Sequence, residues 1–265
     1  MAPDGTRLGE RLARAVPGEW TGRQEGPVRV FLHPLDEPRR AAEARALAMP
    51  LADYILKDCT GSEIAAIVRR RYPGFDVADR GAVTVHALER YRAFGPEADS
   101  RRHAEVAGRL SELLLDCGSV LVEGTIRFRL PEWRDELEAA VDDAADLWIL
   151  AREEQEFIRV LKAYRELEPP GPDSIHVLAE PGVRRVEDES GHPLERVEVH
   201  EEMGGDTRGG EELVAALVSL APHHLTLHQG VGGAEARIVE GVFGRAAVRC
   251  TGCERCRRGE LRPPG

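Results

Sequence analysis

The chain has 265 residues, 42% of them hydrophobic, enough for one large domain or two ordinary ones with a sizeable core. A formal charge of −11 argues against a general nucleic-acid coat, because phosphate binding draws on a basic face. No apolar run approaches the ~18 residues of a membrane-spanning helix, and MAPDGTRLGERLARAVPGEW has no apolar signal-peptide core, so a cytoplasmic address without membrane contact is expected.

Residues 1–26 mix Gly, Pro and charge with little periodicity, which suggests a mobile arm in which Leu8, Leu12 and Val16 form a short amphipathic turn. Val28–Leu32 reads as a strand. From 37 to 115 the pattern is helical in segments, punctuated by Pro50, Pro73-Gly74 and Gly95-Pro96. Thr60-Gly61-Ser62-Glu63 has capping-box spacing and predicts a helix start at Gly61. Ile64, Ile67 and Val68 supply its buried face. Further stripes at 77–92 (Val83, Leu88, Tyr91) and 98–116 (Val106, Leu110, Leu114) read as core, and Gly118 as a left-handed helix cap. Of the 36 basic residues only Lys57 and Lys162 are lysines, which points to GC-rich coding. Arg69-Arg70-Arg71 is therefore read as a solvated helix end at the negative pole of the helix dipole.

Thr125, Ile126, Phe128 and Leu130, with arginines between, predict a short strand of alternating faces. A long helix follows over 131–168: Pro131 opens it, Glu132, Asp135 and Glu136 sit at its positive end, and Pro169-Pro170 stop it. About 37 residues at 1.5 Å each span roughly 55 Å, longer than a small domain is wide. Asp142, Asp143, Asp146, Glu153, Glu154 and Glu156 on this helix lack an accompanying Glu-x-x-His pair and read as a charged outer face. Arg127 and Arg129 can lock strand to helix by pairing with Glu153 or Glu156, or can bind an anion.

After the stiff link Pro169-Pro170-Gly171-Pro172 the character changes. Strands are predicted at 175–179, 183–186 and 194–199, then a flexible loop at 204–210, a helix at 211–220, a strand at 224–228, a glycine-rich turn at 230–233, a helix at 234–243 and a strand at 246–250. Strand, helix, strand at those lengths is a parallel crossover. The expected fold class is thus α+β: a mostly helical N-terminal region with one long helix, followed by a small α/β unit ending in a cysteine knuckle. The expected divisions are 1–26, 27–168 and 173–265.

Five cysteines without a secretory context do not suggest a disulfide framework, and three of them, Cys250, Cys253 and Cys256, lie within seven residues. C-x2-C-x2-C lets a tight turn aim several thiolates at one ion, and Gly252 permits the bend. Parallel strands end on the same sheet edge, so His228 and Cys250 should emerge about 5 Å apart if their strands are neighbours, and His228 can complete a Cys3His set for zinc. Cys59 or Cys117 is the other source of a fourth ligand. The spacing also matches the first three cysteines of a bacterial ferredoxin run, but Glu260 stands where the next cysteine belongs, leaving an iron–sulfur cluster only with a remote ligand. A dithiol redox site needs a cysteine at a helix N-terminus, and the nine residues after Cys256 include Gly259, Pro263 and Pro264. Three free thiols are the plainest alternative. His223 and His224 read as residues of a half-exposed strand, and Gly230 to Gly233 as a turn without the order of a phosphate-binding loop.

The run GTIRFRLPEW, then ELEAAVDDA and EEQEFIRVLKAY, resembles the signature region of the YtxC family of sporulation proteins of endospore-forming bacteria, for which no biochemical activity is established. EELVAALVSLAPHHLTLH and VFGRAAVRCTGCERC resemble the family's C-terminal blocks, in the same order. Glu154 and Gln155 depart from the aromatic residue expected before Glu-Phe-Ile, and the stretch after Tyr164 is more charged. The resemblance implies a sporulation protein that binds or scaffolds another protein without catalysis of its own, its metal site structural. The alternative is a metal- or iron–sulfur-dependent redox or hydrolytic enzyme working at the strand-end cleft.

Overall fold

The computed structural model describes residues 5–25, 28–33, 39–180, 182–198 and 208–256. The chain forms two compact units, Met1–Ile149 and Leu150–Gly265. The first is helical. It begins with α1 (Gly5–Ala15) and the antiparallel pair β1 (Thr21–Glu25) and β2 (Val28–Leu32). Where the sequence suggests a mobile arm, Leu8 and Leu12, four apart on α1, and Val16, just past its end, are buried in the unit's core.

Helix α2 (Arg40–Asp53) runs through Pro50 and widens into a π-helical stretch, Tyr54–Cys59, that continues directly as α3 (Thr60–Arg71). The expected start at Gly61 is therefore corrected. Because helical backbone already precedes Thr60, its hydroxyl donates backwards to the Leu56 carbonyl at 2.6 Å, and Ser62 does the same to Cys59 at 2.8 Å. α4 (Val77–Arg92) carries a real capping box, in which Asp76 accepts from the Asp79 amide at 2.8 Å. α5 (Gly95–Cys117) ends on Gly118 at φ 65°.

The strand expected at 125–130 is instead a helix, α6 (Val122–Arg129). Thr125, Ile126 and Leu130 are all buried, a spacing that shares one helical face and that an alternating strand would split. Phe128, Arg127 and Arg129 are left exposed, with the Arg127 guanidinium over the Phe128 ring. α7 (Pro131–Leu167) is one continuous helix of 37 residues. Its first half buries Trp133, Leu137, Val141 and Ala144, and its carboxylates tie it to its neighbours: Glu138 takes Arg70 and Arg71, Asp142 takes Tyr72 Oη at 2.9 Å, and Asp143 takes Arg90 at 2.8 Å. The Arg69–Arg71 cluster is a helix end whose last two arginines work as cross-links.

The division between units falls within α7 and not at the proline link, because Ile158 and Leu161 pack on the second unit's core. That unit contains β3 (Ser174–Glu180), β4 (Val183–Asp188), β5 (Pro193–Glu198), α8 (Arg208–Leu220), β6 (His224–Leu227), α9 (Gly233–Phe243) and β7 (Ala247–Arg249). The expected loop at 204–210 lies, as far as residue 207, outside the described residues. Among those described, the sheet order is β5-β4-β3-β6-β7, antiparallel across β3-β4-β5 and parallel across β3-β6-β7. Ile175, Val177, Val186, Leu225 and Leu227 face Leu213, Leu217, Val239 and Phe243 of the helices. Gly171 closes the link against the end of α8, donating to Ala221 O at 3.2 Å; a Cβ there would lie 1.7 Å from Leu220 O.

Candidate metal centre

Strand alternation builds the site. Leu225 and Leu227 enter the core, so Thr226 and the residue just after the strand, His228, belong to the opposite face. His228 is held on both sides of its strand: its N–H donates to Val177 O at 2.9 Å, and Cys250 N–H donates to Leu227 O at 2.8 Å. The parallel crossover thus delivers the imidazole and the first thiol to one edge. Gly252, at φ 136°, turns the chain back, and Glu254–Cys256 begin a helical turn that brings the last thiol under the ring.

His228 Nδ1 lies 3.4 Å from Cys253 Sγ and 3.4 Å from Cys256 Sγ, and Cys256 Sγ lies 3.8 Å from both Cys250 Sγ and Cys253 Sγ. All four ligand atoms fall within 4.8 Å of one another. A tetrahedral ion with metal–sulfur bonds of about 2.3 Å and a metal–nitrogen bond of about 2.0 Å holds its sulfurs about 3.8 Å apart and its nitrogen about 3.5 Å from each sulfur. Four of the six edges therefore have the size of such a tetrahedron, and the set can hold one metal ion. His228 and Cys256 are buried, Cys250 and Cys253 half-buried.

The backbone favours thiolates here. The amides of Cys256 and Arg255 donate to the Cys253 sulfur and hold its thiol below the ordinary range. Gly252 N–H donates to Cys250 Sγ at 3.4 Å, but desolvation and the neighbouring sulfurs outweigh it and move that thiol up. Burial, followed by His176 and Arg255, holds His228 below the usual histidine value, so the imidazole is kept neutral, the form that binds metal.

A second layer surrounds the four. His176 on β3 presents Nδ1 to His228 Nε2 at 3.0 Å. With an ion on Nδ1 of His228, the ring hydrogen would lie on Nε2 and be donated to His176, which would fix the tautomer and the ring plane. His176 is itself held below the ordinary value by burial and by Arg255, against the opposing pull of Glu189 and Glu187. Arg255, between the second and third cysteines, donates to the carbonyls of Asp188 and Glu189 and so docks the knuckle on the β4–β5 turn. Gln229 Nε2 reaches Thr251 O at 3.1 Å from the other side. Arg255 also acts on the two imidazoles: its charge disfavours protonation of both His228 and His176.

The sequence-predicted residues His228, Cys250, Cys253 and Cys256 are brought together; Cys59 and Cys117 are not in this group. Cys59 is buried in the helical core, where burial, with Asp58, Glu63 and Glu123, pushes its thiol up to about 12, and Cys117 is exposed at the end of α5. His224 is exposed at the start of β6. The turn at 230–233 has no need of a phosphate: the Gly232 amide already donates to Glu235 Oε2 at 3.0 Å, and Arg184 Nε meets the same oxygen at 3.1 Å. His176 and Arg255 are the residues that sequence reasoning misses. The alternation Ser174-Ile175-His176-Val177 puts His176 on the polar face of its strand, but only the parallel pairing of β3 with β6 places that face beside His228.

The profile of the YtxC-like family matches residues 45–245. No curated protein and no solved structure matches the chain. Among the described residues no helix is long and apolar enough to cross a membrane.

Proposed function

The chain belongs to the YtxC-like family, and on that premise we propose that it is a cytoplasmic binding or scaffolding protein of the sporulating cell whose C-terminal sheet is stapled by structural zinc. The sporulation setting and the protein partner are what the family resemblance implies. The observation that supports the zinc reading is the spacing of the ligand atoms: four of the six edges have the lengths a tetrahedral ion imposes, and all four atoms lie within 4.8 Å of one another. Cys250, Cys253, Cys256 and His228 are the ligands. A full set of protein ligands leaves no open position for a substrate or an activated water, so the ion's part is structural. It joins the end of β7 and the knuckle to the end of β6, a part of the sheet edge where β7 supplies only three residues. Three thiolates and one imidazole suit zinc, whereas a multi-iron cluster spreads its thiolates over different irons and would hold them farther apart.

Metal analysis and an absorption spectrum of anaerobically purified protein test this. The expected result is one zinc per chain, a colourless protein, and loss of the metal in a variant with Cys253→Ser and Cys256→Ser. A brown protein with a broad band near ~400 nm would favour a cluster and the enzyme reading at the strand-end cleft. Three freely titrating thiols and no bound metal would overturn both.

A further inference from the structure

Six residues in the second half of α7, Leu150, Glu153, Phe157, Val160, Tyr164 and Leu167, follow one another at alternating steps of three and four. That is the spacing of the a and d positions of a heptad seam. Ile158 and Leu161, one step round the helix, serve the core of the C-terminal unit. The five apolar members of the seam do not: their exposures run from 36 to 82%. Five large apolar side chains on one ridge over about 26 Å of helix make a patch as large as the largest on an ordinary monomer, the kind that often serves as an interaction surface.

We propose that this ridge pairs with the same ridge of a second copy of the chain, antiparallel. An antiparallel heptad pair sets each a position against a d position of its partner. Here that places Leu150 against Leu167, Phe157 against Val160, and Glu153 against Tyr164, each pairing occurring twice about a two-fold axis. The ridge is thus complementary to itself. Its one charged member meets its one hydroxyl, so the Tyr164 Oη–H can donate to the Glu153 carboxylate. The flanks agree: Glu154 falls opposite Leu161 and Glu156 opposite Ala163, so no carboxylate faces another. A parallel pair would set Glu153 against Glu153. From the exposures, the five apolar side chains offer about 500 Å² a copy, hence about 1,000 Å² in the pair, the lower bound of a specific interface. The result is a reversible dimer and not an obligate one. It involves none of the metal-site residues.

Sedimentation velocity of the full chain across about 1–200 μM tests the pairing. Wild type should pass from monomer to dimer within that range. Leu150→Lys and Leu167→Glu should each weaken association by at least tenfold, with unchanged circular dichroism because both sites are exposed. The two substitutions in one chain should restore dimerisation, since the introduced ammonium of one copy then meets the introduced carboxylate of the other only if the helices run antiparallel. A wild type that stays monomeric throughout, a dimer indifferent to both substitutions, or a double variant no better than the singles would each overturn the proposal.

Discussion

Replacing His176 by Leu removes the acceptor 3.0 Å from His228 Nε2 while keeping an apolar side chain of similar reach on β3. His228 is only 5% exposed, so its Nε2–H would be left without a partner where water reaches poorly, at a cost of about 1–3 kcal/mol. The penalty falls on the metal-bound state, because there Nδ1 is committed to the ion and the hydrogen has to be on Nε2; the metal-free ring can change tautomer or turn. With a decade of affinity worth 1.4 kcal/mol, the expected loss is roughly 10–100-fold, the range usual for the second layer of a metal site. Competition for zinc against a chelator of known affinity, at one pH, measures it. His176→Gln offers an amide oxygen to the same hydrogen and should recover most of the loss, and cobalt substitution should show a shifted ligand-field spectrum for Leu but not for Gln. A Leu variant that holds zinc as tightly as wild type, or Gln and Leu variants equally weak, would refute the orienting role.

Gly171→Ala should cost about 2 kcal/mol or more in urea unfolding, because its Cβ would lie 1.7 Å from the Leu220 carbonyl oxygen, whereas Gly74→Ala, with open space around it, should stay within about 1 kcal/mol of wild type; equal effects would contradict the close approach. For Cys59 the folded-state value of about 12 lies above the unfolded one, so its contribution to stability is intact below about pH 9 and is lost as pH rises from there towards 12, the unfolded chain releasing the proton first. At pH 8 a maleimide should modify Cys117 quickly and leave Cys59 untouched until the chain unfolds; comparable rates would contradict its burial.

The juxtaposition of the four side chains was legible because it is local. Three thiols at C-x2-C-x2-C can converge on one point by spacing, and a strand–helix–strand crossover puts His228 beside Cys250 without any knowledge of the rest of the sheet. His176 was not legible, because its role depends on β3 lying parallel to β6, a pairing of segments some 50 residues apart with a helix between. Arg255 was visible in the knuckle, but its acceptors, the carbonyls of a turn 66 residues earlier, were not. The helix α6 misleads for a different reason: over six residues, Thr125 to Leu130, apolar alternation and an apolar helical face coincide, and packing of Ile126 and Leu130 against the helical core decides between them. At Thr60 the capping-box letters are right and the context is wrong, since a cap needs non-helical backbone before it and the π-helical stretch supplies helix instead. The length of α7 could be read from its bounding prolines, but not that its two halves serve different cores.

On the proposed function, one ion sits among three sulfurs and one nitrogen. X-ray absorption at the zinc edge of the purified chain tests it most directly. The expected first shell is three sulfurs at about 2.3 Å and one nitrogen at about 2.0 Å, changing in His228→Ala and unchanged in Cys59→Ala. A shell of four sulfurs, a shell with two or more light ligands, or an iron–iron distance in place of zinc would contradict it.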